Sequence, residues 1–214
     1  MTMRRVTICI FAKLPVPGAV KTRLVPALGA EGAASLARAF LLDTVAQLQA
    51  VPWARTVLAG AGDLAPLLRE PRPTCWRQGD GDLGQRLERV LRRALEAGEG
   101  PAIAIGADTP GLPPHLLEQA RDALEGAGSV LGPAEDGGFY LLGLTRCPEG
   151  LLSGVPWSRR DTMTHTRRRL VEHGLPPVVI DPWFDVDRQE DLKRLTQLIR
   201  DGRIQADETA RVLG

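Results

Sequence analysis

A short run near the start, Val6–Ala12 (V-T-I-C-I-F-A), constrains the fold more than any other feature. It is β-branched, almost continuous in its apolarity and too brief for a helix. A strand with one wet face would alternate. This one reads as buried on both faces, which calls for a parallel sheet covered by helices on either side. The rest of the chain repeats the alternation. Apolar periodicity predicts a helix over about residues 31–50, with Ala37, Leu41, Val45 and Leu48 on one stripe. Strands are expected at Thr56–Ala59, Ala102–Ile105, Phe139–Leu144 and Val178–Ile180, and helices at Asp63–Glu70, Leu83–Leu95, Pro113–Glu125 and Gln189–Arg200. Leu83, Leu87, Val90, Leu91 and Ala94 fall on one face of the second of these helices, Leu116, Leu117, Ala120 and Leu124 are expected to be buried in the third, and the last carries Leu192, Leu195 and Ile199. Such an order implies right-handed βαβ units in a three-layer α/β/α sandwich. No linker divides it, so residues 1–214 are expected to form a single domain. The stretch Pro148–Asp161 is the least regular and reads either as a flap over a site or as a surface connection.

Composition narrows the function classes. With 214 residues, 43% of them hydrophobic, the chain can bury a sizeable core without staples. A net charge of +1 gives no whole-molecule field for nucleic acid or an anionic membrane. Cys9, Cys75 and Cys147 are odd in number and widely spaced, which argues against zinc and a disulfide framework and fits a reducing compartment. The basic start, Met1–Arg5, precedes an apolar run, but that run is short for a signal peptide and ends in Lys13 and two prolines rather than a cleavage site. No stretch reads as the roughly 20 apolar residues of a membrane span. A cytoplasmic location is the expectation.

Ligands of open α/β sheets bind at the carboxyl ends of the strands, so the residues there carry the functional signal. The loop after the first strand, Phe11–Leu24 (F-A-K-L-P-V-P-G-A-V-K-T-R-L), is neither a dinucleotide fingerprint nor a Walker loop. Its prolines stiffen it, Gly18 lets a ligand approach the backbone, and Lys13, Lys21 and Arg23 supply cations suited to a polyphosphate. The alternative is a solvated basic loop. Ile103–Gly111 runs an apolar strand into Asp108, which reads either as a ligand for a hard cation or as a turn former. Asp185 and Asp187 share a face if their segment is extended, and Asp187 is also placed to cap the last helix. Asp136-Gly137-Gly138 reads as a turn or as a surface on which a sugar or base lies. Gln78-Gly-Asp-Gly-Asp-Leu-Gly84 is a polar approach to a helix N-terminus that favours an anion or polar ligand.

These stretches in this order resemble the bacterial DUF2064 family, grouped with glycosyltransferases in the nucleotide-diphospho-sugar transferase (GT-A) superfamily. The matching pieces are FAKLPVPGAVKTRL at 11–24, QGDGDLGQRL at 78–87, IGADTPGL at 105–112, GPAEDGGFYLLGL at 132–144, VPWS at 155–158 and DVDRQEDL at 185–192. The framework is also similar to phospholactate guanylyltransferase and, more distantly, to molybdopterin-cofactor nucleotidyltransferases. The resemblance implies a GT-A fold with a mostly parallel mixed sheet. It places the nucleotide over about residues 1–112 and a small-molecule acceptor over about 113–214. It further implies that Asp108, with Asp187 or Asp185, holds one Mg²⁺ or Mn²⁺, and that Lys21 and Arg23 face the phosphates. Lys13, Gly18, Gln78, Gly84, Gly137 and Gly138 then line the nucleotide. Asp136 is the candidate general base, with His165 behind it. Arg188, where the family usually has threonine, and the basic run Arg167–Arg169 depart from the pattern. The expected reaction is transfer of a sugar from a nucleotide-sugar; the alternatives are nucleotidyl transfer from a nucleoside triphosphate and a non-catalytic nucleotide-binding module. The Arg159–Arg169 cluster reads as a solvated face or a dock for an anionic acceptor rather than as a nucleic-acid site.

Overall fold

A computed structural model describes residues 5–98 and 100–214, so Met1–Arg4 of the basic start and Glu99 lie outside the described residues. The first strand, β1 (Val6–Lys13), is sandwiched as its composition requires. Val6, Ile8, Ile10 and Ala12 enter one apolar cluster and Cys9 the other. Parallel β2 (Ala54–Ala61) and β4 (Ala102–Gly106) flank it. With β3 (Thr74–Arg77), β5 (Ser129–Pro133), β6 (Phe139–Leu144) and β7 (Pro177–Val179) they form one seven-stranded sheet of order β3-β2-β1-β4-β6-β5-β7. Only β6 runs antiparallel to its neighbours.

Helices α1 (Val25–Gln49) and α3 (Pro114–Gly126) cover one face through Leu41, Val45, Leu48, Leu116, Leu117, Ala120 and Leu124. Helices α2 (Leu83–Ala97) and α4 (Thr162–Glu172) cover the other through Leu87, Val90, Leu91, Ala94 and Leu170. Two more helices, α5 (Gln189–Arg200) and α6 (Asp207–Leu213), complete the molecule. A third cluster joins Leu36 and Phe40 of α1 to Phe184, Val186 and Leu192, Leu195 and Leu198 of α5. It holds the segment before α5 against the first helix, and so brings the two ends of the chain together.

Several expectations need correction. Asp63–Glu70 is not a helix; only Ala65–Leu67 makes a 3-10 turn. The Asp63 carboxylate accepts from Ala65 N at 3.2 Å, and Pro66 and Pro71 leave little helix between them. The short edge strand β3 and helix α6 were not read from the sequence, being too brief for periodicity to register. On α2 the apolar face is buried from Leu87 onward while Leu83 is exposed at the first turn, and on α5 Leu198 joins Leu192 and Leu195 in the core with Ile199 packed beside them. Within α1 the backbone breaks at Gly29 (φ 71°, ψ 167°), so the long helical run starts beyond it. Contrary to the sequence reading, Thr22–Gln49 is long and apolar enough to cross a membrane by length and composition alone, with a mean hydropathy of 1.2; here its apolar stripe packs on the sheet. The stretch Pro148–Asp161 connects β6 to α4 and is anchored to the core at several points. Leu151, Leu152 and Val155 are buried, and the Glu88 carboxylate accepts from Gly150 N (3.0 Å) and Leu152 N (2.7 Å).

Candidate functional site

Three strand ends and one loop converge at the carboxyl edge of the sheet. Asp108 follows β4. The segment from Trp183 to Asp187 continues beside the end of β5, where Trp183 N donates to Pro133 O (3.0 Å) and Glu135 N to Trp183 O (3.2 Å). Val186 N donates to Asp108 O at 3.1 Å, which fixes the two acidic segments against each other. The extended alternation sends Phe184 and Val186 into the third core and leaves Asp185 and Asp187 on the opposite side.

Lys21 stands between the carboxylates. Its Nζ lies 2.7 Å from Asp108 Oδ1 and 3.1 Å from Asp187 Oδ1, with only 4% of the side chain exposed. Arg23 Nη1 reaches Asp187 Oδ2 at 3.2 Å and is itself largely exposed. The backbone of Lys21 is left-handed (φ 45°, ψ 40°), a conformation that costs a non-glycine residue on the order of 1 kcal/mol. Burial works to lower the Lys21 pKa, but the Asp108 and Asp187 charges and hydrogen bonds outweigh it and hold it above its ordinary value. Asp185 is pushed up to about 7, first by burial and then by the neighbouring Asp108 and Asp136 charges, with Asp187 adding to them against the opposing pull of Lys21. Asp108 and Asp187 thus bear on both Lys21 and Asp185, and Asp136 on Asp185.

The cap expected of Asp187 belongs to another residue. Asp191 Oδ2 accepts from Asp187 N (3.1 Å) and Arg188 N (2.7 Å), so α5 is capped from inside its first turn and the Asp187 carboxylate is left for Lys21 and Arg23. An acidic residue three positions after the N-cap residue, Arg188, was the available signal for this.

The donor set suits a hard divalent cation. Asp108 and Asp187 present oxygens to a common point where an ammonium already sits, and both side chains are about half exposed. Among the described residues no three His, Cys, Asp or Glu side chains are gathered to hold a metal by themselves. A cation here would rely on two carboxylates together with substrate phosphates, the arrangement Mg²⁺ commonly takes.

Lys13 ends β1, and Gly18 takes φ 78° in an open stretch of the same loop as Lys21. Gln78 is buried, and its side-chain N–H groups reach Ala59 O (2.8 Å) and Ala12 O (3.3 Å), linking two strand ends. A Cβ at Gly84 would lie 3.0 Å from both Leu152 O and the Trp157 ring, so close packing already accounts for its lack of a side chain. Asp82 and Gln85 form a reciprocal cap on α2. Asp136 is exposed, and its Oδ1 accepts from Gly138 N at 2.8 Å. Gly137 (φ 94°) lies directly against the Arg160 backbone. His165 Nε2 is 3.4 Å from Asp161 Oδ2, at the residue just before its own helix.

The sequence matches the profile of DUF2064, described as an uncharacterized protein conserved in bacteria, over residues 44–159. That span includes Asp108 and Asp136. Comparison with curated proteins found no match. Among solved structures, a protein from Desulfovibrio desulfuricans G20, provisionally named a nucleotide-diphospho-sugar transferase, is 29% identical with a TM-score of 0.87, over 99% of this chain and 94% of that one. The 4-diphosphocytidyl-2C-methyl-D-erythritol synthase of Anaerococcus prevotii DSM 20548 is 12% identical with a TM-score of 0.60, over 92% and 99% of the two chains. A CMP:2-keto-3-deoxy-manno-octonic acid synthetase complexed with CTP is also 12% identical, with a TM-score of 0.56 over 92% and 99%. At such identities the last two share the fold.

Proposed function

The chain belongs to the bacterial DUF2064 family, and from that premise we propose that it is a metal-dependent transferase that moves a sugar from a nucleotide-sugar to a small acceptor. The observation that carries the reading is the convergence of Lys21 and Arg23 with Asp108 and Asp187 at the carboxyl edge of the sheet. The full-length similarity to the Desulfovibrio protein supports it. We place the reaction in the cytoplasm, which fits three cysteines that are all unpaired.

Each residue has a task that follows from its position. Asp108 and Asp187 would hold Mg²⁺ or Mn²⁺, which supplies charge neutralisation at the leaving diphosphate when bound. Asp185, whose carboxyl is raised by burial and by the neighbouring Asp108 and Asp136 charges, would add less negative charge to the same site than an ordinary carboxylate. Lys21, buried and charged, offers a single strong donor to a phosphate oxygen. Arg23, at the exposed rim, offers a two-pronged grip on the next one. Both donors stabilise negative charge as it grows on the leaving group. Asp136 has one oxygen held by Gly138 N; its other oxygen can accept a proton from an acceptor hydroxyl.

A second reading, nucleotidyl transfer from a nucleoside triphosphate to a phosphorylated acceptor, draws support from the two cations on one loop, which suit a longer phosphate chain. Incubation with nucleotide-sugars and nucleoside triphosphates, each with Mg²⁺ or Mn²⁺, separates the two. Glycosyl transfer releases a nucleoside diphosphate, and Asp108→Asn lowers its rate at least 100-fold. Release of pyrophosphate overturns the sugar reading in favour of the second. A thermal shift from no nucleotide at all overturns both.

A further inference from the structure

On the acceptor side, the hairpin between β5 and β6 is closed by Ala134 N to Gly138 O (3.0 Å) and Gly137 N to Ala134 O (3.1 Å). The loop before α4 is pressed onto it. Met163 N donates to Gly137 O at 3.0 Å, and a Cβ added at Gly137 would fall 2.7 and 2.8 Å from Arg160 C and Cα. Thr162 Oγ1 secures the same loop, within 2.7 Å of both Pro156 O and Arg159 O. Arg160 is therefore held next to the hairpin that carries Asp136, and Asp136 in turn acts on the charge of Asp185 beside Lys21 and Asp108.

The neighbouring charges are nearly all matched. Glu135 is gripped by Arg194 at 2.8 and 2.9 Å. Arg159 (3.2 Å) and His165 (3.4 Å) share Asp161. Arg168 (3.3 Å) and Arg169 (3.0 Å) share Glu172, and Arg169 also donates to Gly150 O. Among the described residues of this segment, Arg160 and Arg167 make no ion pair, and Arg160 is the one abutting the hairpin. Its exposed guanidinium has a free fork of donors matched to an oxyanion.

We propose that Arg160 is an anion-binding residue and that the acceptor is a small molecule carrying an oxyanion group, phosphate or carboxylate, seated beside Asp136. This rests on the donor lying at Lys21 and Asp108. An anionic acceptor placed near Asp136 needs a cation to offset the repulsion, and Arg160 is the unmatched cation held against that hairpin.

The test titrates inorganic phosphate, and separately acetate, into the intact protein saturated with nucleoside diphosphate and Mg²⁺, so that Lys21 and Arg23 are already filled. At least one anion should still bind the parent. Arg160→Ala should weaken it about tenfold or more, Arg160→Lys should recover part of the loss, and Arg167→Ala, which removes the same charge nearby, should leave it unchanged. The arm that binds tells phosphate from carboxylate. Undiminished binding in Arg160→Ala, equal losses in the two alanine variants, or full displacement of the anions by nucleotide overturns the proposal. If no nucleotide binds, the donor reading falls separately, and the same variants titrated with the anions alone still decide the role of Arg160.

Discussion

At the scale of single residues, Lys21 is constrained in three ways at once. It is buried, left-handed in its backbone, and within hydrogen-bonding distance of two carboxylates. Its ammonium competes for the oxygens that a divalent cation would take. Lys21→Met should therefore bind Mn²⁺ more tightly than the parent without nucleotide, yet lose transferase turnover by 100-fold or more; equal Mn²⁺ affinity by calorimetry would refute the competition. Asp185 makes a second prediction. Its carboxyl is raised from an ordinary 3.8 to about 7, so the folded state prefers the protonated form. The associated stability is fully present below about pH 4 and is lost as pH rises through 7, by on the order of 4 kcal/mol at most. In EDTA, Asp185→Asn should flatten this slope in denaturation midpoints measured from pH 4 to 8; an unchanged slope would place the raised carboxyl elsewhere.

At the scale of elements, the site depends on how α5 begins. Asp191 accepts from two backbone N–H groups at the helix start, and one of them belongs to Asp187. The cap therefore both stabilises the helix and aims a proposed ligand. Asp191→Ala should cost about 1 kcal/mol, a fall in Tm of about 2–4 °C for a chain of this size. It should also weaken metal-dependent nucleotide binding. A variant that lost stability but kept its nucleotide affinity would show that Asp187 is held by Lys21 and Arg23 alone. The element scale also explains why Asp63–Glu70 misled. Leu64, Leu67 and Leu68 recur with helical spacing, but the Asp63 side chain and two prolines decide the local backbone first.

At the scale of the whole molecule, the chain closes on itself twice. The third core joins α1 to α5. The buried Asp43 of α1 also caps α6, accepting from Glu208 N at 2.9 Å and Thr209 N at 2.8 Å. The α6 start has no side-chain cap of its own. Removing a buried acceptor that serves two donors should cost about 2–3 kcal/mol. Asp43→Ala is thus expected to lower Tm by about 5–10 °C while leaving nucleotide affinity within twofold, since no site group touches it. A large loss of affinity would mean that the α1–α6 contact supports the site as well as the fold.

What the sequence determined by itself was periodic or punctuated. An apolar run buried on both faces declared the parallel sheet. Repeated helical spacing located α2, α3 and α5. The strand-then-aspartate pattern at Asp108 and the stiffened loop holding Lys21 marked the edge to inspect. Tertiary structure decided what depends on distance between remote segments. Lys21 and Asp187 are 166 positions apart in sequence, and only the packing of Phe184 and Val186 against α1 puts them together. The Asp191 cap on α5 and the pairing of Arg159, Arg168 and Arg169 with Asp161 and Glu172 lie within four residues and are matters of local spacing, whereas the seating of Arg160 against the hairpin at Gly137 joins segments 23 positions apart. Local patterns specify which backbone forms, because propensity and burial act within a few residues. Which remote charges meet is set by the fold, because electrostatic pairing depends on separation in space.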